Sequence, residues 1–307
     1  TGVHVQFLTL NNSTSLEPRL ALRYQATPKS SIHAGYGLHS QMQPVDVYFY
    51  RKQQADGSYD ATNTDIGFTR SHHFVIGYDV TPIKDWKVKT EVYYQQLFDV
   101  PVSDSNRSFS MLNTGASFQP NEQGYLINSG TGRNYGVELT VEKYFSKGFY
   151  GLMTATLYES KYKGSDKIER NTTFNGRYVF NILAGKEIKI GKQKQNTLFS
   201  DIKFTNAGGR YFTPVDLAAS QAARQQVEFG DSAAFTARNP QYLRLDFKIG
   251  FTYNSKKRRI SHSFFFDVQN VTNHKNVFTQ RYNPISKAVN TAYQIGTFPN
   301  FMYKLQF

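Results

Sequence analysis

The sequence predicts an all-β fold, an up-and-down antiparallel barrel of about 12 strands that crosses a membrane on strands. Three observations predict it. Long stretches alternate apolar and polar residues, as in Leu243, Leu245, Phe247, Ile249 and Phe251 against Arg244, Asp246 and Lys248; period two puts the two sets on opposite faces of a strand. The connections between these stretches alternate short and long, as in a barrel with two different ends. The last residues, Phe301 to Phe307, alternate too and stop on an aromatic. Chain ends usually fray, but a barrel in lipid has no tolerated edge and must seal its last strand. An edge strand of a soluble sandwich shares the last feature; a sandwich has no reason to segregate its loops by length.

Element by element, the first strand covers about 2–10, with Val3, Val5 and Phe7 against His4 and Gln6. The second covers about 18–26 (Leu20, Leu22, Tyr24), and the third about 30–41 (Ile32, Ala34, Tyr36, Leu38). The fourth, about 67–80, presents Phe74, Ile76, Tyr78 and Val80, and the fifth, about 86–97, Trp86, Val88, Val92 and Tyr94. The sixth, about 132–145, sets Tyr135, Val137, Leu139 and Val141 against Asn134, Glu138, Thr140 and Glu142. The seventh, about 148–161, is ambiguous in register; the eighth, about 172–185, carries Phe174, Tyr178, Phe180 and Ile182. The rest cover about 196–206, 240–253 and 260–270, and the C-terminal segment is the twelfth. The best helical window is Leu217 to Val227, a short helix inside a loop.

Short connections are Thr27 to Ser30, Thr81 to Asp85, Phe145 to Gly148, Lys186 to Gln195 and Asn254 to Arg259; long ones are about 42–66, 98–131, 162–171, 207–239 and 271–296. In this reading short turns face the periplasm and long loops the exterior. Apolar positions face lipid and polar ones a wet lumen, so Arg19, Arg23, Glu138, Arg177, Arg244, Asp246 and Lys248 line the interior. That many charges do not line a dry core.

Composition agrees. No run of about 18 apolar residues exists to form a membrane helix. Aromatics reach 15%, with 25 Phe and 21 Tyr, an excess that interfacial girdles explain. Cysteine is absent, which decides little. The formal charge of +13 raises nucleic acid as a partner, but the densest basic stretches, Lys186 to Lys194 and Lys256 to Arg259, fall in short connections and not on an aromatic platform. Nucleic acid is therefore not expected. The sequence opens at Thr1 directly in a strand pattern, so it is expected to be part of a longer polypeptide.

Asp267-Val268-Gln269-Asn270-Val271-Thr272-Asn273, followed by Asn276-Val277, resembles the conserved segment near the end of TonB-dependent outer-membrane receptors. The terminal Phe307 resembles the assembly signal of outer-membrane proteins. Leu16-Glu17-Pro18-Arg19, Gly35-Tyr36-Gly37 and Tyr135-Gly136-Val137-Glu138-Leu139 resemble the branch with a carboxypeptidase-regulatory-like N-terminal domain. The resemblance implies a plugged barrel of about 22 strands, of which residues 1–307 are the C-terminal portion. It implies active uptake of a bulky, scarce solute through a Gram-negative outer membrane. The implied partners are outer-membrane lipid, the receptor's own plug domain, the TonB–ExbB–ExbD motor, a surface lipoprotein, and a small-molecule, glycan or peptide ligand. The rival reading is a passive porin-like or structural barrel of 12 strands; an outer-membrane lipase or protease is a third.

No catalytic pattern supports the third: there is no Gly-x-Ser-x-Gly, no phosphate-binding Gly-x4-Gly-Lys-Ser/Thr and no His-Glu-x-x-His. No cofactor or resident metal is expected. The Asp267–Asn276 segment lacks the closing acid of a calcium loop and reads as an Asn-rich strand-end turn. His4, His33, His39 and His73 fall on the lumen side; His39 and His73 are candidates for capturing a metallated ligand, the alternative being solvated lumen residues. The long loops supply aromatic candidates, Phe98, Phe109, Met111, Leu112, Phe118 and Tyr125 in one and Tyr211, Phe212, Phe229 and Phe235 in another, with Arg224 and Arg238 beside the latter. Such residues either grip a ligand or pack the loops together.

Overall fold

The structure is a computed structural model that describes residues 1–115, 123–255 and 260–307. Phe118 and the basic run Lys256 to Arg259 lie outside the described residues. Twelve wall strands follow one another in chain order within one antiparallel sheet. They are β1 (Gly2–Leu8), β2 (Ser13–Thr27), β3 (Ser30–Gln41), β4 (Thr69–Val80), β5 (Trp86–Ser103) and β6 (Leu126–Ser146), then β7 (Phe149–Lys163), β8 (Tyr178–Ile190), β9 (Asn196–Ala207), β10 (Tyr242–Asn254), β11 (Ser261–Gln269) and β12 (Phe298–Gln306). The sheet is not closed: β1 pairs with β2 and β12 with β11, and the two end strands do not meet. Among the described residues no helix is long and apolar enough to cross a membrane.

The faces are those that period two predicts. Val3, Val5, Leu22, Ile76, Val137, Leu157, Phe247, Phe266 and Phe301 all lie exposed on one face. Register carries this face from strand to strand, as in Tyr36 opposite Phe74, Phe74 opposite Tyr94 and Tyr94 opposite Tyr135. An apolar stripe this continuous and uncovered suits a lipid solvent and no aqueous one. On β6 it runs from Tyr135 to Phe145. Ten residues at about 3.3 Å, tilted by about 40°, give a band about 25 Å tall, the height of a bilayer's apolar layer.

The polar face is tied by ion pairs. His33 Nδ1 lies 3.1 Å from Asp79 and Nε2 3.0 Å from Glu91, Lys89 pairs with Glu91 at 2.7 Å and Lys87 with Asp79 at 3.5 Å. Glu17, fully buried, meets His4 at 3.0 Å, Arg19 at 2.8 Å and the Gln6 amide at 2.6 Å. A buried carboxylate needs such a set of donors. The bulky groups fit because glycines lie beneath them: a Cβ on Gly77 would collide with the His33 ring, and one on Gly185 with Tyr150 and Asp201.

The sheet carries no dry core, and the packed apolar cluster sits at the long-loop end. Val47, Tyr48, Ile66, Val100, Met111 and Leu126 are buried together, with Phe109 and Leu112 packed against them. Asn63 pins the loops: its amide donates to Val47 and Gln123 carbonyls at 3.0 and 2.9 Å and accepts from Leu126 N–H at 3.2 Å.

Several boundaries differ from expectation. The connection 9–12 is short although it lies at the long-loop end, so the alternation of lengths has one exception. The eighth strand begins at Tyr178; Phe174 and Arg177 precede it, and Arg177 turns the chain with φ +70° and is not a wall residue. The alternating polar residues of 172–177 imitate a strand, but Asn175 donates to Glu159 and Asn171 and holds the segment as a turn. At its other end β8 runs on to Ile190, so Lys186 and Lys189 are wall residues and not part of a turn. The ambiguous seventh strand puts Met153 and Leu157 on the apolar face, opposite Val141 and Val137. The small residues Gly151 and Ala155 had blurred its pattern. The helical window yields a helix over Leu217–Ala223, capped by the Asp216 side chain on Ala219 N–H.

Candidate functional site

The polar face and the long loops enclose a cleft of about 1090 Å³ at the loop end of β7 to β12. Its floor is built by register: Ala207 stands opposite Tyr242, Val179 opposite Ala207 and Gln269 opposite Phe298, all on the face that carries Arg244 and Asp246. Its roof is the hairpin of Val277–Asn283 with Ala288–Tyr293. Tyr158, Phe174, Tyr242, Phe298 and the hairpin's Tyr293 supply ring surfaces. Asn239, Gln241 and Gln294 supply amides, and Arg210 and Arg244 the charge. No acidic side chain lines the cleft among the described residues. Arg244 is held by Asp246 at 2.7 Å, whereas Arg210 lies 5.8 Å over the Phe174 ring and is exposed. Rings, amides and guanidinium together hold a ligand by stacking and hydrogen bonds.

The Asp267–Asn276 segment builds the hinge of the roof. Asn270, 2% exposed, adopts φ +50°, accepts from Thr272 and His274, donates to the His274 carbonyl, and receives at its own carbonyl the Thr297 hydroxyl at 3.0 Å. Asn273, with φ +52°, accepts from Thr297 N–H at 3.3 Å. Asn276 extends the edge of β10 with its side chain: its oxygen accepts from Leu243 N–H and its amide donates to the Leu243 carbonyl, both at 2.9 Å. Asp246 accepts from Asn270 N–H at 2.8 Å, tying this turn to the Arg244 pair. The Asn-rich turn is thus a set of side chains standing in for backbone partners. Asp267 belongs to β11 opposite Asn300 and Lys248, and Phe307 follows β12 fully exposed.

The other candidates fall into separate places. His39 and His73 stack edge to face at 4.8 Å, and His73 meets the Gln95 amide at 2.5 Å, itself bonded to Asn134 at 2.7 Å. The four lumen-side histidines belong to three strands, β1, β3 and β4. No three His, Asp or Glu residues are placed to hold a metal ion among the described residues. Phe109 packs against the loop cluster. Tyr125 takes a hydrogen bond from Gln54 at 3.0 Å with Lys52 over its ring at 4.7 Å. Tyr211 is 7% exposed, with the guanidinium groups of Arg177 and Arg238 over its ring at 5.8 and 5.7 Å. Arg238 also donates to the carbonyls of Gly209 and Gly176. Phe212 is half-buried beside it, and Arg224 ends the helix in a left-handed conformation, exposed. Sequence reasoning missed Arg210, Tyr158, Tyr242 and Phe298. The polar-face position of Tyr242 beside Arg244 was a usable signal; the meeting of Arg210 with Phe174 was not.

Fold and site together define a membrane β-barrel wall with a loop-roofed cleft on its inner, polar side. The family model for the TonB-dependent receptor-like β-barrel matches residues 4–271, and the chain belongs to that family. Barrels of this family lie in the outer membrane of Gram-negative bacteria. The chain is similar in structure to the ferric yersiniabactin uptake receptor FyuA of Yersinia pestis, at 14% identity and TM-score 0.64, over 97% of this chain and 38% of that one. It is similar to BauA, the ferric preacinetobactin receptor of Acinetobacter baumannii, at 14% identity and TM-score 0.59, over 96% and 36%. The Escherichia coli outer membrane transporter YddB gives 11% identity and TM-score 0.64 over 99% and 42%. At such identity the likeness is one of fold, and the chain spans about two fifths of the length of these structures. A search among curated proteins finds no matching sequence.

Proposed function

We propose that this chain is the C-terminal part of the barrel of a receptor that actively imports a bulky, scarce solute. The cleft carries the reading. At about 1090 Å³ it is large for a simple metabolite, and it opens on the polar face beneath the long loops. The structural neighbours BauA and FyuA are named for ferric preacinetobactin and ferric yersiniabactin. In this reading the polar face holds the receptor's plug domain, the inner-membrane motor drives release, and short turns face the periplasm. The unpaired edges of β1 and β12 favour it over a self-contained barrel of 12 strands, since open edges are not tolerated in lipid. A surface lipoprotein would cover the exposed hairpin tip at Ile285. His39 and His73 stand below the loop end as a second contact for a metallated solute.

The test is to purify the full-length receptor from native membranes and identify retained solutes by mass spectrometry. A defined bulky compound, lost when Arg210 and Tyr242 are both changed to Ala, is the expected outcome. Uptake that persists without the inner-membrane motor would overturn the active-import reading. Equal retention in His39→Ala/His73→Ala would remove the histidines from it.

A further inference from the structure

The charge of this chain is distributed unevenly between its two ends. Among the described residues of the short turns stand Lys29, Lys84, Lys147, Lys192 and Lys194 against Asp85 alone. All five lysines are exposed, and none forms an ion pair with a described acid. On the polar face Lys87 and Lys89 are paired with acids, and Lys248 sits over the Phe265 ring. Four of the five long loops mix signs, as in Asp46, Arg51, Lys52, Asp56, Asp60 and Asp65 within residues 42–68; the fifth, 270–297, carries Lys275, Arg281 and Lys287 with no acid. Directly above the turns, on the apolar face, lies a row of rings: Tyr24, Tyr78, Trp86, Phe149, Tyr253 and Tyr303. Tyr24 is 70% and Tyr303 48% exposed. Rings of this kind sit at the headgroup level of a bilayer. A lysine one turn beyond them therefore stands among the phosphates.

We infer that the turn end of this wall binds the anionic glycerophospholipid headgroups of the leaflet it faces, with the aromatic row setting depth and the lysine collar selecting charge. Each turn is too short to fold its lysine away. Lys147-Gly148 is a two-residue hairpin with both φ positive, at +51° and +72°, so the side chain is thrown outward. The attraction is electrostatic and summed over the collar, and it falls off within a Debye length of the surface.

The inference rests on the membrane reading, and one experiment separates the two. The full-length receptor is reconstituted in bilayer discs of phosphatidylethanolamine with about one quarter phosphatidylglycerol, and the retained lipid is counted by native mass spectrometry. Retained phosphatidylglycerol is expected to exceed its bulk share by about threefold at low salt and to approach bulk at 1 M salt, where the Debye length is about 3 Å. Lys147→Glu/Lys192→Glu/Lys194→Glu should bring the ratio to bulk, and the neutral triple Gln variant should do so without charge reversal. Arg51→Glu/Arg281→Glu/Lys287→Glu, at the other end, should leave it unchanged. Unaltered enrichment in both turn variants overturns the inference. Loss of enrichment with millimolar inorganic phosphate also overturns it, because it would make the collar a free-phosphate site. Failure of the wild type to insert would sink the membrane reading itself.

Discussion

Asp166 and Arg170 show how single residues hold the long loops beside the cleft together. Their ion pair, 2.7 Å and almost wholly buried, is bidentate. Arg170 also donates to the Asp231 carbonyl across to the next long loop, and Asp231 accepts from Ser108 N–H in a third. The Arg170 hydrogen bonds hold the Asp166 carboxyl below its usual range. A lowered carboxyl gives stability that is present above the unfolded value of 3.8 and lost as pH falls through the lower folded one. The protection of amides 164–171 against hydrogen exchange, taken relative to the intrinsic amide rate at each pH, should therefore be high at neutral pH and fall once the solution drops below the ordinary carboxylate range. Asp166→Asn should show the low protection at every pH. Asn276 makes a comparable case at the base of the roof hairpin. Asn276→Ala leaves Leu243 N–H and carbonyl unpaired, and a loss of about 1–3 kcal/mol in local opening of 270–297 is expected, measured by proteolysis at the hairpin tip. Ligand capture should weaken with it, while the wall remains folded.

The wall strands obey a division of labour that β10 makes plain. Leu245, Phe247 and Ile249 face out and Arg244, Asp246 and Lys248 face in, in register with β9 and β11. Phe247→Lys puts a charge against lipid and should cost about 2–4 kcal/mol near the bilayer midplane, read from urea-driven unfolding in vesicles. Lys248→Gln, one residue away, loses the cation–π contact of its ammonium with the Phe265 ring at 4.8 Å and should stay within about 1 kcal/mol. A sandwich core would reverse that order. The inner glycines belong to the same scale. Gly250 lies beneath the Phe199 ring, so Gly250→Val must expel it into the lumen. That variant should assemble poorly, seen as loss of the heat-modifiable band on a gel, with Gly250→Ala intermediate.

At the scale of the whole molecule the wall is open at both edges and its compact apolar cluster sits under the loops, not between the faces. A plugged receptor and an empty channel then differ in conductance. On the proposed receptor reading, the full-length protein in a planar bilayer should show no steady current until denaturant unfolds its plug, whereas a passive barrel conducts from the start. Much of this architecture was legible in the chain itself. The alternation around Leu245 and Val137, the aromatic excess and the segregated loop lengths specify strand, face and solvent, because strand periodicity is a local property and lipid inverts its usual sense. The Asn-rich turn was legible in part: the bonds of Asn270 to Thr272 and His274 are local, whereas the turn's bonds to Asp246, Leu243 and Thr297 span more than twenty residues and left no local trace. What one chain position cannot carry is a partner far along the sequence. That Phe174 lies outside the strand and meets Arg210, that Tyr211 is clasped by Arg177 and Arg238, and that Tyr242, Phe298 and Tyr293 share one cleft were decided by the packing of separate loops and the register of separate strands. The local pattern set which way each side chain points, and only the closing of long-range pairs set what it meets there.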